Sequence, residues 1–388
     1  MTTWKEAVCA RVDGLAGRLG EVSQEIYAHP ELKFEERRAS RLLADELRGA
    51  GFSVELAIGG LDTAIRAAHP AARGGPTVAI LGEYDALPEI GHACGHNLIA
   101  AASLGASLAL GAIKAELPGT LLFLGTPAEE GGGGKVILIE KGLFRGVDAA
   151  MMFHPATYTV VERGSLAITE VVVEFFGKSS HASESPEKGV NALDAVIQTY
   201  NGINALRQHL KDGARIHGII TNGGAKPNIV PDRAAACFYV RAPESDYRDL
   251  LLEKLRRCAE GAALATGATL SFQTVGHSYR AMKTNHPLAS AFAANLEALG
   301  EPIEPPQHRA MGSTDMGDVS QVVPSIHAYL AICEKAIASH SRDFAEASAS
   351  PRGRRAMLIA AKALAMTAID LFTNPDLVGR MWEDFRSG

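Results

Sequence analysis

The sequence predicts an α/β fold, with a central sheet flanked by helices and a second, α+β unit inserted into it. Three observations carry that expectation. Short apolar runs at 77–81, 121–124 and 149–153 alternate with helix-length segments at 98–113 and 135–143; continuous apolar strands separated by helices mark a sheet covered on both faces. From about residue 167 the texture changes to strict alternation, Ile168, Glu170, Val172 and Glu174 against Thr169, Val171, Val173 and Phe175, as in a half-buried antiparallel strand. At 388 residues the chain is also too long for one ordinary core, so two domains are expected.

Each element follows from local pattern. Val8, Val12, Leu15, Leu19, Val22 and Ile26 fall at helical spacing, and 36–50 reads as a second helix closed by Gly51. The segment 98–113 is rich in Ala and Gly and reads as a buried helix. Beyond the strand at 168–176 come a helix over 190–210, strands at 216–221 and 234–241, a long helix from Ser245 to about 265 and a strand at 269–275. That β-α-β-β-α-β order predicts a small antiparallel sheet with two helices. A helix at 286–299, a strand at 326–332 and a last helix at 352–373 complete the chain, with no internal repeat or low-complexity segment. The expected division is 1–166 with 279–388, and 167–278 between them.

Composition narrows the function classes. Apolar residues make up 47% and charged residues 21% of the chain, as in a globular protein. A net charge of -6 and the lack of a Lys/Arg cluster argue against nucleic acid as a partner. No run of about 18 apolar residues occurs, so no membrane span is expected, and the amino terminus lacks an apolar stretch of secretory length. Five scattered cysteines, Cys9, Cys94, Cys237, Cys258 and Cys333, do not form a disulfide framework. A reducing cytoplasm is the expected compartment, with four of the cysteines as core fillers.

The chemistry concentrates in Glu83-Tyr84-Asp85-Ala86-Leu87-Pro88-Glu89-Ile90-Gly91-His92-Ala93-Cys94-Gly95-His96. Cys94 and His96 stand two apart on a glycine-containing turn, where a thiolate and an imidazole can converge on zinc or another borderline metal. Asp85, just upstream, is a carboxylate suited to orienting a metal-bound imidazole. Glu129-Glu130 follows an apolar strand and precedes four glycines, which permit close backbone approach. Adjacent carboxylates can divide labour, one binding metal and the other accepting a proton from the attacking water. His154 and His340 complete a candidate set sufficient for two metal ions. Asp85, Glu129, Glu130 and His154 are all expected just past strand C-termini, where open α/β sheets carry their sites.

Plainer readings stand beside these. Cys94 could be a small buried hydrophobe, His96 a helix cap, Glu129-Glu130 a solvated loop, His154 a turn residue and His340 a surface histidine. His69, His209, His217, His277 and His308 carry no ligand pattern. Cys94 with His96 as a nucleophile–base pair is a poor alternative, because residues two apart on a turn seldom reach that geometry.

Tyr27-Ala28-His29-Pro30-Glu31-Leu32, Asp85-Ala86-Leu87-Pro88, His92-Ala93-Cys94-Gly95-His96, Pro127-Ala128-Glu129-Glu130-Gly131 and Gly312-Ser313-Thr314-Asp315, with His340, resemble the landmarks of metallopeptidase family twenty, the aminoacylase and carboxypeptidase type. Within it the pattern is similar to the amidohydrolase branch, and to the subgroup of p-aminobenzoyl-glutamate hydrolase and β-alanyl-lysine dipeptidase. Two positions depart from the branch, Asn97 after the Cys-Gly-His turn and Leu81-Gly82-Glu83-Tyr84 before the Asp-Ala-Leu-Pro run; the latter, with Gly312-Ser313-Thr314-Asp315, looks more like that subgroup. The resemblance implies a di-metal catalytic domain interrupted by a lid that also forms a homodimer. It implies two divalent ions, zinc foremost with manganese or cobalt as alternatives, held by Cys94, His96, Glu130, His154 and His340, with Cys94 at or beside the bridge. Glu129 would be the general base and then the acid, Asp85 the supporting carboxylate, and His181 an oxyanion donor serving the partner's site. Asn228 and Arg241 would hold the substrate's carbonyl or carboxylate. The implied activity is hydrolysis of the amide bond of an N-acyl amino acid, an aminobenzoyl-amino acid or a small dipeptide. The alternative from a different class is a non-catalytic binder of peptides or amino-acid conjugates on the same fold.

Overall fold

The computed structural model describes residues 2–69, 74–306 and 311–387; His308 lies outside them. The chain divides into two compact units: Met1–Gly164 with Met282–Met311 and Asp315–Gly388, and Ser165–Ala281 with Gly312–Thr314. No sequence pattern announces the three-residue return at 312–314.

The larger unit begins with α1 (Thr2–Gly14) and α2 (Ala16–Ala28), which the periodicity reads as one helix. The break falls at Leu15, whose N–H is shared between the carbonyls of Arg11 and Val12. In α3 (Arg37–Gly49) the cap is remote: the Glu31 carboxylate accepts from the backbone N–H groups of Arg38 and Ala39 at 2.9 and 3.0 Å. A carboxylate there satisfies orphan donors and faces the positive end of the helix dipole. Strands β1 (Ser53–Leu56) and β2 (Ile65–His69) follow. Neither is visible in the sequence, because at four and five residues of mixed polarity they show no clean period.

Then come β3 (Thr77–Gly82), α4 (His96–Gly111), β4 (Thr120–Gly125), α5 (Gly134–Glu140) and β5 (Ala149–Ala156). The sheet order is β1-β2-β4-β3-β5-β10, where β10 is Ser325–Ala331. Strands β4, β3, β5 and β10 run parallel, while β1 and β2 pair antiparallel at the edge, so the sheet is mixed. Helix α4 packs on β3, β4 and β5, and almost all its residues are buried.

The smaller unit holds β6 (Ala167–Phe176), α6 (Ala192–Leu206), β7 (Arg215–Asn222), β8 (Arg233–Ala242), α7 (Ser245–Thr266) and β9 (Thr269–Tyr279). All strand pairs are antiparallel, in the order β7-β8-β6-β9. Val171, Val173 and Phe175 of β6 and Ala236, Phe238 and Val240 of β8 are buried in one cluster with Leu251 and Leu255 of α7. The alternating sequence therefore dictates one covered face and one open face.

The larger unit resumes with α8 (His286–Ala298), α9 (Met316–Val319), β10, α10 (Arg342–Ser348), α11 (Pro351–Thr373) and α12 (Pro375–Ser387). Helix α12 corrects the expectation that 352–373 is the last helix. Helix α11 is long and apolar enough to cross a membrane, but 72% of its most apolar window is buried inside this unit, against α4, α1 and α8. Its apolar residues are core. All five cysteines are free thiols; Cys333 and Cys94 are buried, whereas Cys9, Cys237 and Cys258 are only partly so and are not core fillers in the full sense.

Candidate metal centre

The turn after β3 builds the first half of the site. Gly95 has φ +78°, and a Cβ there would lie 2.8 Å from the Pro155 ring, so glycine alone lets the chain reverse into α4. The reversal starts α4 at His96 and buries Cys94 beside it. The His96 Nδ1 lies 2.9 Å from the Asp85 carbonyl oxygen and 3.1 Å from Asp85 Oδ1, which orients the ring and turns Nε2 away from Asp85. That Nε2 is buried with no hydrogen-bond partner. His92 does something else: its Nε2 lies 3.0 Å from the Ile26 carbonyl, tying the turn to α2.

The turn after β4 builds the second half. Glu36, fully buried, accepts from the backbone N–H of Phe34 and of Ala128 at 2.9 Å each, and from the Thr63 hydroxyl at 2.7 Å. It clamps Ala128, which sits at φ +61°, a strained value for a residue with a Cβ. Burial pushes the Glu36 carboxyl up to about 7, against the hydrogen bond from Thr63. Just beyond, a Cβ on Gly134 would meet the Pro127 carbonyl at 1.8 Å, so the glycine run lets the chain fold back on itself. The Glu130 N–H donates to Asp85 Oδ2 at 2.9 Å, so Asp85 ties the two turns together.

His154 corrects an expectation: it lies within β5, not beyond its end. His340, whose plainer reading is a surface histidine, is exposed and has φ +59°, and its N–H donates to the Ala93 carbonyl at 3.0 Å. One ligand atom from each of Cys94, His96 and His154 lies within 4.8 Å of the others; the same holds for Cys94, Glu130 and His340, and for His96, Glu129 and Glu130. Cys94, His96 and Glu130 each belong to two of these groups.

These donors fit a pair of divalent cations. Zinc bonds of about 2.0–2.3 Å at tetrahedral angles set ligand atoms roughly 3.3–3.6 Å apart. Cys94 Sγ lies 3.4 Å from His154 Nε2, and His340 Nε2 lies 3.4 Å from Glu130 Oε1. The buried Glu130 Oε1 has no hydrogen-bond partner, like His96 Nε2. Burial, then Glu130, raises the Cys94 thiol well above its ordinary value, and burial, then His96, lowers His154 to about 3. Burial alone would lower His96, but Cys94 and Asp85 outweigh it and raise it. A cation would neutralise the crowded acids and draw the proton from the thiol. Glu129 is 8% exposed, and burial followed by Glu130 raises its carboxyl well above the usual range.

The structure adds residues that sequence reasoning missed. Lys135, fully buried, donates to Glu83 Oε1 and to Asp315 Oδ1, the latter at 2.7 Å. Leaving a buried ionic partner unpaired costs roughly 3–5 kcal/mol, so the triad fixes the β3 turn against α5. A lone lysine after four glycines, inside an apolar helix start, was the available signal. On β10, Tyr329 pairs directly with His154 across the strands, and His327 shares its face. The His327 and His154 rings are 5.3 Å apart, and Arg163 stacks on Tyr158 and Tyr329 at 4.9 and 4.8 Å. Burial, then His154, holds His327 well below the usual histidine range.

Three of the expected residues lie in the smaller unit. His181 is exposed, and its Nδ1 accepts from the backbone N–H of Ser183 and Glu184 at 3.4 and 3.2 Å. A neutral His181 therefore carries its proton on Nε2. Asn228 is exposed, and its carbonyl accepts from Ala182 N–H at 3.0 Å, so the two residues share one pair of turns. Arg241, half-buried on β8, donates to the Ser313 hydroxyl at 3.0 Å.

Known proteins agree with this architecture. Peptidase family M20/M25/M40 matches residues 79–363. A mouse Xaa-Arg dipeptidase is 42% identical over 98% of this chain and 92% of its own length. A p-aminobenzoyl-glutamate hydrolase chain from Escherichia coli K12 is 36% identical over 74% of this chain and 63% of its own length. Among solved structures, a dinuclear metal binding peptidase of the M20 family from Bacillus subtilis superposes with a TM-score of 0.74 at 22% identity, covering 93% of this chain and 99% of that one. An aminobenzoyl-glutamate utilization protein from Klebsiella pneumoniae gives 0.75 at 20% identity, over 94% and 98%. The two structures show the shared fold, and the sequence matches go further: the chain belongs to peptidase family M20/M25/M40 and is a hydrolase of peptide or amide bonds.

Proposed function

We propose that the protein is a metal-dependent hydrolase of small amides, acting on a dipeptide with a basic C-terminal residue or on a related N-acyl or aminobenzoyl amino acid. The single observation that carries the metal-dependent reading is the set of three overlapping donor groups that share Cys94, His96 and Glu130. The similarity to Xaa-Arg dipeptidases over nearly the whole chain supports the basic residue. When bound, two divalent ions (zinc foremost, manganese or cobalt as alternatives) supply Lewis acidity and lower the pKa of water towards about 7. Cys94, His96, Glu130, His154 and His340 hold them. Glu129 takes a proton from the attacking water on a carboxylate oxygen and delivers it to the leaving nitrogen as the C–O bond forms and the C–N bond breaks. Asp85 keeps His96 aimed. Arg241 and Asn228 bind the substrate's carboxylate or carbonyl.

A mass-spectrometric screen of the metal-loaded protein against Xaa-Arg and Xaa-Lys dipeptides, β-alanyl-lysine, p-aminobenzoyl-glutamate and N-acyl amino acids tests this. The expected result is release of free Arg or Lys. Tight binding without turnover of any member would instead favour the non-catalytic binder.

We further propose that the smaller unit is a lid and forms a homodimer. The edge strand β7 exposes Ile219 and Ile220, unpaired backbone and apolar surface suited to a second copy. The Nε2 proton of His181 then stabilises the oxyanion in the neighbouring protomer, a contribution of roughly 3–4 kcal/mol. His181→Ala and Glu129→Gln, each inactive alone, should recover activity when mixed, because one site of the heterodimer keeps both groups. A mixture that exchanges protomers and stays inactive would sink the shared site.

A further inference from the structure

The strand β10 brings a histidine to the metal centre that the proposed mechanism does not use. His327 is 4% exposed, and its Nε2 has no hydrogen-bond partner. Its Nδ1 lies 3.2 Å from the Tyr329 hydroxyl. The Arg163 guanidinium lies 4.8 Å from the Tyr329 ring centroid, and towards that hydroxyl it can only donate. The hydroxyl oxygen thus accepts from Arg163 and its proton is free to go to His327 Nδ1. A ring whose Nδ1 accepts carries its hydrogen on Nε2. Buried donors of this kind are rarely left unsatisfied, because each costs roughly 1–3 kcal/mol. Of the other buried atoms here without a hydrogen-bond partner, Glu83 Oε2 lies 3.5 Å from His96 Nε2, while His96 Nε2 and Glu130 Oε1 belong to the candidate donor groups and would face a cation. A donor cannot share that cation, so it needs a different partner.

We propose that Arg163, Tyr329 and His327 form a relay that presents the His327 Nε2 hydrogen to the substrate's acyl side at the metal centre, making His327 a further substrate-contacting residue. This rests on the amide-hydrolase reading. Its logic is local: Tyr329 sits directly across from His154, so the backbone register that places one metal ligand also places the relay.

Glutamine and asparagine separate the two ring nitrogens. In His327→Gln the amide N–H₂ reaches approximately where Nε2 stood, while in His327→Asn the amide reaches only the Nδ1 position and keeps the bond to Tyr329. The inference expects His327→Gln to retain activity within about tenfold and His327→Asn to lose about 10²-fold in kcat/KM, with metal content and melting temperature unchanged in both. A purely structural role predicts the reverse order, and so overturns it. Metal loss in His327→Asn would overturn it too, by making His327 a ligand. Acetohydroxamate binding to the cobalt-loaded protein, followed by its visible spectrum, gives a readout that needs no substrate. If the wild-type protein cleaves no amide yet hydroxamate affinity falls in His327→Asn and holds in His327→Gln, the donor stands and the hydrolase reading fails. Equal affinities in all three proteins would dismiss the donor whatever the activity.

Discussion

Glu129→Gln will lower turnover by roughly 10²–10⁴-fold while leaving the metal content near that of the wild-type protein. The substitution keeps the shape of the side chain and removes only its capacity to take and return a proton. Glu129 lies within 4.8 Å of His96 and Glu130 ligand atoms, close enough to serve water held at the centre. It is also carried on a turn whose backbone is set by Glu36 and Asp85 rather than by Glu129 itself. The turn should therefore survive the change. Turnover and metal stoichiometry measured on the same preparation decide the matter. A variant that keeps more than a tenth of wild-type activity would remove Glu129 from the proton transfer, and one that loses metal would reassign it as a ligand.

Exhaustive chelation should abolish activity, and zinc, manganese or cobalt should restore it. The candidate ligands are poorly suited to a metal-free state. Cys94 is buried beside Glu130, and two buried acceptor atoms, His96 Nε2 and Glu130 Oε1, lack hydrogen-bond partners. Filling the centre would relieve all three, so a bound metal should also stabilise the fold: at 100 times the dissociation constant, binding contributes about 2.7 kcal/mol. The melting temperature should fall on chelation and recover with the ion. Cys94→Ala should abolish metal-dependent activity and flatten the melting response, since Cys94 belongs to two donor groups. Full activity after verified removal of metal would end the metal-dependent reading.

The chemistry carried on turns was legible because it is local. Cys94 and His96 need only a glycine between them to converge, and Glu129-Glu130 needs only a strand before it and glycines after it. Neither depends on how distant segments meet. The strands were legible for a similar reason: β3, β4 and β5 carry continuous apolar runs because both faces are covered, and β6 alternates because one face is open. The short edge strands β1 and β2 were not, since four or five residues of mixed polarity carry too little pattern to separate from a loop.

What the sequence by itself determined, then, is the α/β class and the βαββαβ insertion, because periodicity encodes which face of each element meets the core. It also singled out the residues Cys94, His96, Glu129, Glu130, His154 and His340, though it placed His154 beyond a strand that in fact contains it. Tertiary structure decided the groups assembled by register and packing. Lys135 meets Glu83 and Asp315 across segments 52 and 180 residues apart. Tyr329 faces His154 only because β10 pairs with β5 in one register; a shift by a single residue would turn Tyr329 and His327 to the other face. No local pattern encodes such a pairing. A lone histidine in an apolar strand looks the same whether it is packed as filler or poised beside a metal centre, and the difference lies in its neighbours.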